Sequence, residues 1–203
     1  MKAEGGNGYY HLHLTSEMFH TEFRLLVGFL GGPSMPITEL LLREFDQEMS
    51  KTKTTLERVP KEKWDWKPLE KSGTLGWMAG HVASLPGFMI AVSTSSDYDL
   101  SKGGSPKVEK DADLLGLFAK VSGEARQAVA ALSDAQLDET WSLKRNGQTL
   151  FAGPRYDMLR GMCFNHLIHH RGQLTMYLRD VGRAGAAAVW PVGGRESLST
   201  VVL

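Results

Sequence analysis

The stretch NHLIHHRGQ, Asn165 to Gln173, holds three histidines: His166, His169 and His170. Histidine is not a favoured helix former, so a trio within a segment of helical periodicity points to chemistry. On a helix, side chains four apart share a face with Cβ atoms about 5–6 Å apart. Two imidazoles so placed can ligate one ion through metal–nitrogen bonds of about 2.0–2.1 Å. His166 and His170 have this spacing. His169 lies about 60° around the helix from His166. It is the weaker partner and suits solvent or a supporting hydrogen bond beside the ligands.

Two donors are too few for a tight site, so a third must come from another element. His81 is the remaining histidine of the regular part of the chain. With His166 and His170 it gives three neutral nitrogens and leaves a fourth position open, the arrangement of catalytic zinc. Nickel, cobalt or iron also fit such a set. Cys163, three residues before His166, is read as a small core residue in preference to a fourth ligand. Arg171 is a candidate for an anionic substrate or for a surface or interface role. Asn165 and Gln173, at the two ends of the stretch, are pocket candidates, Gln173 through a hydrogen bond near the metal. No acid or base stands at a fixed spacing; Glu70 and Asp157 are the candidates for a general base.

Helices must position these rings. Ile37, Leu41, Phe45, Met49, Thr52, Leu56 and Val59 recur at three- and four-residue steps, the mark of an amphipathic helix of about 23 residues. Pro36 suits its first turn and Pro60 ends it. Trp64 and Trp66 are expected to pack beneath the following connection. Thr74 caps a second helix over about residues 75–95. Pro86 leaves a carbonyl without its N–H and kinks that helix one turn after His81. After a polar loop, Asp111 or Asp113 opens a third helix buried through Leu114, Leu117, Phe118, Val121, Ala125, Val129 and Leu132. Asn146-Gly147 favours positive φ at both turn positions and predicts a tight hairpin. A fourth helix then runs from Arg155 to Val181, with Gly182 as its stop. The expected fold is therefore all-α: a four-helix bundle with a small β-hairpin inserted before the last long helix.

Residues 1–34 show no sustained period and are read as an irregular extension, with Met35 as the biological start and no signal peptide. Residues 35–182 form the bundle and 183–203 an irregular tail. His11 and His13 could chelate by spacing but are read as binding nothing specific. Within the 203 residues, Lys plus Arg equals Asp plus Glu at 23 each, so nothing favours a nucleic acid or an anionic membrane as partner. No stretch is expected to approach the roughly 18 apolar residues of a membrane span. Cys163 is the one cysteine, which excludes an intrachain disulfide and fits a cytoplasmic protein.

Two stretches, WDWKPLEKSGTLGWMAGHVASLPGF around His81 and MCFNHLIHHRGQLTMYLR, resemble the DinB family of small bacterial metalloproteins. The resemblance runs from about Pro36 to Leu178. It implies a helical bundle with an exposed divalent metal at one end, held by His81, His166 and His170. It also implies a homodimer and a small-molecule substrate. The wider superfamily includes thiol-dependent S-transferases that use low-molecular-weight thiols such as bacillithiol or mycothiol. The expected function is therefore a zinc- or nickel-dependent S-transferase acting on a small electrophile. The alternatives are a metal-dependent hydrolase and a non-catalytic metal-binding stress-response protein. The sequence departs from the family pattern over residues 1–34 and in the tail VWPVGGRESLSTVVL.

Overall fold

The computed structural model describes residues 35–103, 107–110 and 112–183. The expected extension, with His11 and His13, and nearly all of the expected tail lie outside the described residues.

Helix α1 spans Ile37–Leu56. It buries Leu41, Phe45, Met49, Thr52 and Leu56, while Ile37 and Leu40 stay exposed. It stops at Leu56, short of the expected end, because Arg58 and Val59 turn back to the carbonyls of Thr55 and Leu56. Its N-terminus is closed from a distance: the Asp134 carboxylate accepts from Ile37 N at 3.1 Å. Trp64 is buried in the next connection. Its carbonyl and that of Trp66 accept from Gly76 N at 2.8 Å and Leu75 N at 2.7 Å, which fixes the start of the next helix.

Helix α2, Leu75–Ser84, is capped by the Thr74 hydroxyl, which accepts from Trp77 N at 3.1 Å. The chain breaks at Leu85 and resumes as α3, Pro86–Thr94, with proline in its first turn. The interruption falls where Pro86 requires it. Together, Leu75–Thr94 are long and apolar enough, by length and composition, to cross a membrane, and most of the segment is buried within the protein. The expectation that no stretch approaches such a length needs that correction. Gly76, Gly80 and Gly87 interrupt the apolar run and conceal it from a simple count.

A three-residue strand β1, Asp97–Asp99, follows inside the segment expected to be a polar loop. Helix α4, Leu114–Ala130, opens on Asp113, whose carboxylate accepts from Gly116 N at 2.8 Å. Short helix α5, Asp134–Asp138, starts with a reciprocal Ser133–Gln136 cap. Strands β2, Thr140–Arg145, and β3, Gln148–Pro154, pair antiparallel around Asn146 (φ 52°) and Gly147 (φ 76°). The hairpin is thus present, but as part of a three-stranded sheet in which β1 lies parallel to β2. The Asp99 carboxylate joins them, accepting from Gly147 N at 2.7 Å and Asn146 N at 3.1 Å. The fold is mostly helical with this small sheet, so the all-α expectation is corrected to that extent.

The last helical run is not uniform. A single turn α6, Arg155–Asp157, passes into a π-helical segment, Met158–Phe164, and then α7, Asn165–Asp180. Gly182 takes φ 77° and ends the run. Arg155 is buried and donates to backbone carbonyls of Val92, Ser95 and Gln136 and to the Glu139 carboxylate. The start of the last helix is thereby tied to the end of α3. The core between the helices is filled by Phe45, Met89, Phe164, Leu167, Leu174 and Trp141 among others.

Candidate metal centre

Helix α2 brings His81 to the face of α7 that carries His166 and His170. One ring nitrogen from each lies within 4.8 Å of the others. Ring centroids are 5.4 Å apart for His81–His166 and 4.6 Å for both His81–His170 and His166–His170. All three rings are half-buried. The π segment ends at Phe164, so the α-helical spacing that joins His166 to His170 begins only there. Such widened turns recur next to functional sites.

The electrostatics favour neutral rings. Burial, with the neighbouring His170 and His166, lowers the His81 pKa to about 4. Burial and His170 also lower that of His166, against a raising contribution from the Met162 backbone. Burial lowers that of His170, opposed by its bond to Gln173. Neutral imidazole is the ligating form.

Neighbours fix the rings. Gln173 Oε1 lies 2.7 Å from His170 Nδ1. A carbonyl oxygen only accepts, so Nδ1 carries the proton and Nε2 keeps its lone pair for an ion. Trp77 stacks on His81 with centroids 5.2 Å apart and planes 11° from parallel. Sequence reasoning missed Trp77, although a signal existed: it stands four residues before His81, on the same helix face.

The other candidates separate. His169 is exposed, with its ring 5.0 Å from that of His170. Asn165 is exposed at the start of α7. Cys163 is buried, and burial pushes its thiol pKa up; it is not in the three-histidine group. Arg171 is corrected. It is neither an anion site nor a surface residue, being 4% exposed. It pairs with the Glu48 carboxylate and donates to Glu48 O at 3.0 Å and Thr52 Oγ1 at 3.1 Å. One residue beyond His170, its side chain turns toward α1, as the helical step requires.

Two cavities meet at His81. One, about 560 Å³, is lined by apolar side chains from α3, α4 and the sheet together with His81, His166 and Met162. The other, about 590 Å³, runs past Trp77 and His81 to Lys67, Lys107, Glu109, Lys110 and Asp65. Glu70 and Asp157 line neither cavity. Three nitrogens from two facing helices, beside a cavity wide enough for a small molecule, could hold a metal ion and present it to a substrate.

No curated protein matches this chain. Among solved structures, it is similar to a DinB-like protein from Bacillus subtilis, with 19% identity, a TM-score of 0.59, and coverage of 71% of this chain and 93% of the other. It is similar also to a DinB-like protein from Bacillus cereus, with 22% identity, a TM-score of 0.55, and coverage of 72% and 94%. At these identities the likeness bears on the fold. The DinB family profile matches residues 34–191, which include His81 and the whole NHLIHHRGQ stretch. On that match the chain belongs to the DinB family.

Proposed function

We propose that this protein is a divalent-metal-dependent enzyme, a thiol-dependent S-transferase acting on a small electrophile. The observation that carries the reading is the set of three histidine nitrogens within 4.8 Å of one another. His81, His166 and His170 would hold the ion, zinc or nickel by the chemistry of the donors. A bound divalent ion supplies a Lewis acid that draws a thiol into its thiolate form near neutral pH. Gln173 keeps the His170 lone pair directed away from its own amide, and Trp77 holds the plane of His81. The apolar cavity places hydrophobic walls beside His81 and His166. The cleft bearing Lys67, Lys107 and Lys110 against Asp65 and Glu109 suits the polar body of a low-molecular-weight thiol. In the transfer, the thiol sulfur bonds to an electrophilic carbon. The leaving group departs with the bonding pair, and the thiol proton passes to solvent. The reading includes a homodimer, which light scattering tests.

Metal content of untagged protein tests the first step. Wild type should carry about one equivalent, and the His166→Ala, His170→Ala double variant should carry none. Absence of metal from wild type after loading with zinc and with nickel would overturn the reading. With metal present, turnover of electrophiles should require an added thiol. Turnover without thiol identifies a hydrolase instead, and metal binding without turnover a non-catalytic protein.

A further inference from the structure

The apolar cavity beside His81 and His166 has a chemistry of its own. The sequence pattern places Leu117 and Val121 on the buried stripe of α4, yet both are only half-buried. They line this cavity opposite residues of α3 and the sheet, so the stripe is left uncovered where the space lies. No acidic, lysine or arginine side chain lines it. Its few polar groups are engaged or turned aside. The Ser84 hydroxyl donates to His81 O at 2.9 Å. The Tyr98 hydroxyl is packed against Gly103, where an added Cβ would lie 2.1 Å from it. The Tyr98 ring instead meets Phe88 edge-on, with centroids 5.4 Å apart. The imidazoles of His81 and His166 remain as the polar end of an otherwise apolar chamber.

We infer that this cavity is the binding site for the body of the substrate, and that this body is uncharged and predominantly apolar, with its polar, reacting group at the histidine end. The inference rests on the proposed function for the reaction, but not for the binding. An apolar group entering the chamber is withdrawn from water at no polar cost. A charged one would lose its hydration with no partner inside. The about 560 Å³ of space is sufficient for a fused-ring or branched aliphatic molecule, within the about 300–1,000 Å³ of small-ligand pockets.

Two dyes that share one aromatic body test this: neutral N-phenyl-1-naphthylamine and its charged relative 8-anilino-1-naphthalenesulfonate. Titrations use the full chain after chelator treatment, so that no ion can hold the sulfonate. The neutral dye should bind saturably at one site per chain, about tenfold or more tighter than the sulfonate. Ala91→Trp, which fills the chamber from α3, should weaken the neutral dye about tenfold or more while leaving metal content unchanged. If that variant does not fold, Leu100→Trp fills the same space from the loop after β1. Failure of the neutral dye to saturate, equal binding of the sulfonate, or indifference to the filling variant would overturn the inference. Loss of the metal reading alone would leave dye binding and its response to Ala91→Trp intact, so the two failures are distinct.

Discussion

Two of the three clustered histidine rings are held by a neighbour as much as by the helix that carries them. His170 owes its tautomer to Gln173, and His81 its plane to Trp77. Replacing Gln173 with leucine removes the acceptor without changing the helix. Metal affinity should then fall about 10- to 100-fold, as for other partners of metal-bound histidines, with the melting temperature of metal-free protein little altered. Competition against a chromogenic chelator measures it; unchanged affinity would show that the bond does no work on the ring. At this scale the sequence was most legible for His166 and His170, because helical spacing alone puts them together. Adding His81 required only that it be the other histidine in a regular segment. Arg171 was not legible. Its neighbours in sequence are the site, while its partner Glu48 lies 123 positions away and no local pattern records the pairing.

At the scale of elements, periodicity and punctuation were sufficient to find the long helices, the Pro86 break and the hairpin turn. They failed for β1, whose Asp-Tyr-Asp is too short to show alternation, and for the π segment, which carries helical spacing up to a local widening. Gly76 is the most informative single position of α2. An added Cβ there would fall 2.2 Å from Trp64 Cε2. Helix propensity alone says that Gly76→Ala stabilises by about 1 kcal/mol. The contact says that it destabilises by about 1–3 kcal/mol, since a buried indole must move. The contact should win, because Trp64 is itself pinned by the bond from Gly76 N to its carbonyl. Denaturant unfolding decides the sign. Since α2 carries His81, metal affinity should decline in the same variant.

At the scale of the whole described fold, buried charge joins elements far apart in sequence. Arg171 links α7 to α1, and Arg155 links the start of the last helical run to α3 and α5. Burial raises the Glu48 pKa, but hydrogen bonds from Lys51 and Arg171 outweigh it together and hold the carboxyl below its ordinary value. The stability that this ionisation contributes is fully present above the unfolded carboxyl value of about 4.3. It is lost as pH falls through the lower folded value. Thermal melts from pH 7 toward pH 3 should therefore show a fall in wild type that is smaller in Glu48→Gln. At neutral pH that variant should be less stable by about 3–5 kcal/mol, because Arg171 then stays buried without its counter-charge. Equal acid sensitivity in both proteins would assign the effect to other carboxylates.

The buried Cys163 has one more consequence. It is the chain's sole sulfhydryl, sealed in the core with its ionisation suppressed. The native protein therefore brings no thiolate of its own to an electrophile. A thioether newly formed on an alkylating compound in the presence of this protein must then have drawn its sulfur from a dissolved thiol, and Cys163 will not compete with that thiol for the reagent.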